Sequence, residues 1–210
     1  MEAVGKRSLT VRPIREALVF TVAVILYIWV LRAAFPSSIW AFVLAVLVSF
    51  KQRSETVGSV GLSGRAFLSA LAGWKIWWLL SITATITLGW GRAFSAEWMS
   101  RGLLYFLWCL VQQLVYQNMV YQRFREALGP CWESWAISGT LFASTHLPNP
   151  VLVPATLLWG TLSSRLFERE ASVPALALLQ FLLSTVLLWV TPPGWHRNFR
   201  VGPGYFRASL

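Results

Sequence analysis

Apolar stretches of near-membrane length follow one another along almost the whole chain. A helix needs roughly 20 apolar residues to cross the hydrocarbon core of a bilayer. Hydrophobic residues make up 56% of the chain and charged residues 12%, which is not the composition of a soluble globular protein. We therefore predict an all-α, polytopic membrane helix bundle with about seven transmembrane segments, within a range of roughly six to eight. The stretches lie at residues 14–35, 37–50, 66–90, 102–122, 132–146, 149–166 and 172–191.

One integral membrane domain, residues 1–210, is predicted because the chain contains no internal repeat. The helix bundle is expected to occupy residues 14–191. Residues 192–210 form a Pro/Gly-rich C-terminal tail whose prolines and glycines interrupt helices. A frayed terminus at the lipid headgroups is the default expectation for this tail, and an ordered cap over a cavity is the alternative.

Basic residues flank the apolar stretches and indicate orientation. The net charge is +10, but these residues do not form one patch, so no nucleic acid partner is predicted. With the N-terminus inside, eleven basic residues fall on inner segments and six on outer ones, which predicts a cytoplasmic N-terminus. The side of the tail stays open, because an even number of spans would move its three arginines inside. The inner residues are Lys6, Arg7, Arg12, Arg15, Lys51, Arg53, Arg65, Arg123, Arg125, Arg165 and Arg169, and the outer ones are Arg32, Arg92, Arg101, Arg197, Arg200 and Arg207.

A polar face interrupts the fourth apolar stretch. Tyr105, Cys109, Gln113 and Gln117 recur every four residues, and Gln112 lies on the adjoining ridge. An unpaired buried amide costs roughly 2 to 7 kcal/mol, so such residues normally face a bundle interior or a hydrated cavity. The alternatives are a functional site and plain hydrogen bonding between helices, which is common for glutamine in membranes.

Two further polar sets accompany this face. The fifth stretch carries Ser134, Ser138 and Thr145 and ends at His146, and the last carries Gln180, Ser184 and Thr185. The three sets are candidates for one shared pocket. Helix-to-helix hydrogen bonding is the simpler interpretation of Gln180, and a solitary interfacial histidine is the simpler interpretation of His146.

The order of these motifs resembles the CPBP family, the CAAX-protease-like, glutamic-type intramembrane endopeptidases. That family has Glu-Glu-x-x-x-Arg, then Phe-x-x-x-His, then His-x-x-x-Asn or Asp on a later span, and the similarity covers roughly residues 66–191. Only Phe142 and His146 match by identity. The resemblance places its catalytic positions at Gln112 and Gln113 (the glutamate pair), Gln117 (the arginine), His146, and Gln180 with Ser184 (the third motif).

These substitutions bear on the chemistry that the resemblance implies. In the family the glutamates are thought to activate a water molecule that attacks the peptide carbonyl, which requires a base. A glutamine amide has donors and a neutral acceptor but takes up no proton near neutral pH. Gln112 and Gln113 therefore do not replace the glutamate pair, and a catalytically degenerate site is predicted.

Other catalytic groups are scarce. A hydrolytic zinc site usually takes three protein ligands, whereas the chain has two histidines and no aspartate, so we predict no metal and no cofactor and assign no cofactor-binding residue. A metal set of His146, His196 and Cys109 is a minor alternative. A thiol mechanism pairing Cys109 with His146 is another, although a buried thiol usually behaves as a small hydrophobe.

Two function classes follow. The first is a non-catalytic family member that binds a transmembrane peptide, lipid or pigment, or serves as a subunit of a membrane complex. The second is a diverged intramembrane endopeptidase that cleaves membrane-embedded or lipid-modified C-termini. Transport is a weaker third class, because no duplicated halves are present. Membrane lipids are expected partners in each case. The Gln-Gln pair, His-Leu-Pro-Asn-Pro and Val-Gly-Pro-Gly-Tyr are similar to a bacterial branch of the family, which implies the bacterial inner (plasma) membrane.

Overall fold

A computed structural model describes residues 11–90 and 96–207 of the protein. Every regular element within these ranges is helical, which confirms the all-α prediction. The longer helices are α1 (Val11–Ala34), α2 (Ile39–Gln52), α3 (Gly64–Gly73), α4 (Lys75–Gly89), α5 (Ala96–Tyr116), α6 (Gln122–Leu128), α7 (Trp132–Ser144), α8 (Leu152–Arg169) and α9 (Val173–Val190). The tail contributes two single turns, α10 (Pro193–His196) and α11 (Pro203–Phe206).

Two of the described helices, α1 and α9, are long and apolar enough to cross a membrane. The pair α3 and α4 gives a third candidate, although its two halves are bent by 79°. By contrast, α2 and α7 have 14 and 13 residues. The 21-residue helix α5 is long enough, but its two adjacent glutamines lower its hydropathy. The figure of about seven spans therefore stays a prediction.

Helices α7 and α8 pack closely against each other. Gly139 and Gly160 face each other, and a methyl group added to Gly160 would lie 2.9 Å from the Cα of Gly139. Small residues at such crossings let two backbones approach closely, which strengthens van der Waals packing where lipid offers no hydrophobic driving force. The core continues through α9, where Val173, Ala175 and Leu176 are fully buried.

Two turns of π-helix interrupt the long helices. Tyr27–Leu31 lies within α1, and Gln117–Tyr121 joins α5 to α6. All five residues of the second turn are buried. Single π-helical turns are rare and occur frequently at functional sites.

An ion cluster fastens one end of the bundle. Arg53, just after α2, binds Glu16 of α1, and its Nη1 lies 3.0 Å from Glu126 Oε2 of α6. Arg123 Nη1 donates to Glu126 Oε1 over 2.6 Å. Burial alone would lower the pKa of Arg53, but its hydrogen bonds with the two glutamates raise it above its usual value. The cluster joins three helix ends whose basic residues were all assigned to the inner side.

The C-terminal tail lies at the opposite end of the bundle, where α9 finishes. It does not fray over residues 192–207: it turns back and contacts both the connection between α7 and α8 and the π-helical turn of α1. The structure thus has an ordered tail where the sequence favoured a frayed one, because buried hydrogen bonds hold it.

Candidate functional site

The amide face of α5 points into the bundle. Gln113 and Gln117 are both 0% exposed, and Gln112 is half-buried beside them. Gln117 is also the first residue of the π-helical turn. Its Nε2 donates to Gln113 Oε1 over 3.0 Å, one turn earlier on the same helix. The predicted polar face is therefore a hydrogen-bonded row.

Gln180 of α9 completes the row from across the bundle. Gln113 Nε2 donates to Gln180 Oε1 over 2.6 Å, and Gln180 Nε2 donates to Gln112 Oε1 over 2.8 Å. We call these four residues, Gln112, Gln113, Gln117 and Gln180, the amide cluster. Two of the three polar sets identified in the sequence thus meet in one place.

Helix α8 supplies partners that sequence reasoning missed. Trp159 Nε1 donates to Gln180 Oε1 over 3.1 Å, and Gln117 Nε2 donates to Ser163 Oγ over 3.2 Å. Nearby, Tyr116 donates its hydroxyl to the Gly160 carbonyl, 3.0 Å away. The adjacent serines at 163 and 164 within an apolar stretch were the available signal, of the same kind as the paired glutamines.

His146 stays apart from the amide cluster. Its Nδ1 lies 2.8 Å from the Phe142 carbonyl oxygen, so this nitrogen carries a proton and donates. Its ring packs on Phe142, with centroids 4.8 Å apart, and Phe142 in turn packs on Tyr116 at 4.6 Å. One aromatic layer therefore separates His146 from the helix that carries three of the amides, and none of its described hydrogen bonds reaches them.

A second polar layer lies one turn from the amide cluster. Tyr105 interacts with Ser184 of α9 and with Cys109, which is 0% exposed. The other polar residues of the sequence-predicted sets bond to carbonyls of their own chain segment and do not converge. These residues are Ser134, Ser138, Thr145 and Thr185.

The chemistry of the amide cluster is neutral. Its members donate to and accept from one another, from Trp159 and from Ser163, and the hydrogen bonds described include no carboxylate. One acceptor, Gln117 Oε1, is buried with no described partner. Such an arrangement orients polar groups and joins helices, but it contains no group that takes a proton from water near neutral pH.

Metal-binding residues do not gather in the described part of the chain. No three side chains among its histidines, cysteines and glutamates are placed to share an ion. His196 lies in the tail, where its Nδ1 accepts from the Asn198 N–H over 3.0 Å. The set of His146, His196 and Cys109 is accordingly not assembled there.

Comparison with known proteins gave one family match. The family model described as type II CAAX prenyl endopeptidase Rce1-like matches residues 77–186. This range runs from α4 to α9 and includes all of the amide cluster, Phe142 and His146. Neither the curated proteins nor the solved structures gave a match.

Proposed function

The chain belongs to the type II CAAX prenyl endopeptidase Rce1-like family, and we propose that it is a membrane-embedded member that binds rather than cleaves. Membership also confirms the resemblance to the CPBP family. The proposed role is to hold a transmembrane peptide or to serve as a subunit of a membrane complex. One observation carries the proposal: the amide cluster, at the positions that the resemblance assigns to the family's first and third motifs, consists of neutral side chains that hydrogen-bond to one another.

The position of the carboxylates supports this proposal. Glu16 and Glu126 are engaged in the ion cluster, and Glu168 accepts from Tyr121 and Trp135. These groups serve to hold helices together at the end of the bundle. A hydrolytic mechanism at the amide cluster would therefore lack a described base within hydrogen-bonding reach.

Surface composition supports a binding role. In α2 only Val46 is buried, and several of its large apolar side chains face outward, including Trp40 with 70% exposure and Leu44 with 62%. A helix with so little packing within its own chain is suited to contact lipid or a transmembrane partner. The proposed setting is the bacterial inner membrane with a cytoplasmic N-terminus.

A cleavage assay in lipid nanodiscs tests the proposal. Wild type, His146→Ala and the double variant Gln112→Glu/Gln113→Glu are incubated with membrane-embedded peptides carrying lipid-modified C-termini, and products are identified by mass spectrometry. We expect no cleavage by wild type. Gln122→Glu, at a half-buried position one turn beyond the amide cluster, is the matched control for adding a carboxylate.

Cleavage by wild type that His146→Ala abolishes would overturn the proposal in favour of a diverged endopeptidase. Activity that appears only in the double variant would instead support a degenerate site. In parallel, mild extraction from native membranes is expected to yield a stoichiometric protein partner, whereas co-purification of processed peptides would again favour the protease.

A further inference from the structure

The C-terminal segment 192–206 crosses the end of the bundle at which α7 ends, two residues before His146. We call this segment the strap. Asn149 follows His146 by three residues and is 0% exposed. Its Nδ2 donates to two strap carbonyls, that of His196 over 2.9 Å and that of Arg200 over 3.1 Å. A single buried amide thus holds two points of the strap.

Asn149 also organises the helix that follows it. Its Oδ1 accepts from the N–H groups of Val151 and Leu152, each over 3.0 Å, at the start of α8. The two ends of one side chain therefore have separate tasks: the oxygen caps a helix, and the nitrogen fastens the strap. These tasks can be separated by mutation.

A second attachment lies further along the strap. The Gly202 N–H donates to the Leu147 carbonyl over 2.8 Å. Gly202 has φ +58°, a left-handed conformation that favours glycine, and its Cα faces Ile28 in the π-helical turn of α1. A methyl group added there would lie 2.7 Å from Ile28 Cγ2. The strap consequently joins α1 to the connection between α7 and α8.

Contacts within the strap give it a defined shape. Arg197 Nη1 donates to the Tyr205 carbonyl over 2.8 Å, and its guanidinium lies 4.7 Å from the centre of the Tyr205 ring. His196 is only 3% exposed, although it belongs to a terminal segment with no long helix. His146 directly precedes Leu147, which accepts from the strap, and is itself only 9% exposed.

From this geometry we infer that the strap is a gate over the end of the bundle, latched by Asn149 Nδ2, and that its opening controls access from that side to His146. Local opening of this kind is governed by few contacts, and the strap has three described hydrogen bonds to the body of the bundle. Only the identity of the molecule that would enter through the gate rests on the proposed function.

The test uses Asn149→Asp in the full chain in nanodiscs. Aspartate keeps the capping oxygen, removes the Nδ2 donor and turns a carboxylate toward two carbonyls. We expect tryptic cleavage after Arg197, and modification of His196 and His146 by diethyl pyrocarbonate, to accelerate roughly tenfold or more, because two hydrogen bonds to the strap are lost. Arg200→Lys is the matched control, because the carbonyl that accepts from Asn149 is unchanged.

Faster cleavage without faster modification of His146 would overturn the gate, because opening of the strap would then not expose the histidine. Unchanged cleavage in Asn149→Asp would overturn the latch. Gly202→Ala disrupts the second attachment through a clash with Ile28 and is expected to reproduce the faster cleavage. This second variant shows whether the effect is specific to Asn149 or follows from opening of the strap. None of these measurements depends on ligand or catalysis, so they succeed or fail independently of the proposed function.

Discussion

The crossing of α7 and α8 yields the most sharply defined prediction, for Gly139→Ala. A methyl group on Gly139 would lie 2.3 Å from Thr161 Oγ1, 2.8 Å from Thr161 N and 2.9 Å from the Leu157 carbonyl oxygen. The hydroxyl can rotate away, but the two backbone atoms can move only if α8 moves. The variant must therefore separate two helices.

The expected magnitude follows from two opposing effects. Overpacking typically costs about 1–3 kcal/mol, whereas replacing a helical glycine by alanine gains up to about 1 kcal/mol in helix propensity. The clash dominates, and the net loss is about 1–2 kcal/mol. At roughly 2–4 °C per kcal/mol for a chain of this size, the unfolding midpoint should fall by several degrees.

The assay is thermal unfolding in nanodiscs at a fixed scan rate, with Gly102→Ala as the matched control. A methyl group on Gly102 would lie 3.8 Å from Phe181 Cζ, an ordinary contact, so this variant should keep or raise the midpoint. A midpoint for Gly139→Ala equal to or above that of wild type would refute the close packing on which the reasoning depends.

Two further predictions concern the amide cluster and the strap. Gln180→Leu should lower the unfolding midpoint, because it leaves the buried donors of Gln113 and Trp159 without their acceptor, at about 1 kcal/mol each in a membrane bundle; an unchanged midpoint would mean that the cluster adds no stability. Burial lowers the pKa of His196 below its unfolded value of about 6.5. The neutral ring therefore contributes to the free energy of unfolding above that pH. This contribution is lost on acidification, because a protonated Nδ1 no longer accepts from the Asn198 N–H. Wild type should therefore lose more stability than His196→Gln as the pH falls from about 7.5 to about 5, and equal losses in the two proteins would contradict this.

Much of the helical architecture was predictable, because apolar stretches of near-membrane length leave few alternatives. Gln113 and Gln117 were identified as a polar face from their spacing alone, and the structure adds that Gln180 bonds to that face. The family resemblance, which rested on the order and spacing of the motifs with identity only at Phe142 and His146, is confirmed by the family match. Their roles in a site stay a prediction.

Several contacts were beyond the reach of the sequence for physical reasons. Ser138 and Thr145 look like candidates for a pocket, yet each bonds to a carbonyl of the preceding turn, a choice that depends on side-chain rotamers. His146 was grouped with the amides, but the ring of Phe142 intervenes. The strap depends on Asn149 meeting residues almost fifty positions later, and no local periodicity encodes such a pairing.

The π-helical turn at Gln117–Tyr121 affects how this chain can be compared with its relatives. Such a turn contains one residue more than the α-helical path, so the faces before and after it are offset by about 100°. Deleting one residue there would make the helix regular but would rotate Arg123 and Glu126 together, away from Glu16 and Arg53, while leaving Gln113 in place. The number of residues in this turn therefore fixes how the amide cluster and the ion cluster are oriented relative to each other. Unless a helix moves, a relative with one residue fewer can preserve the amide positions or the ion cluster, but not both.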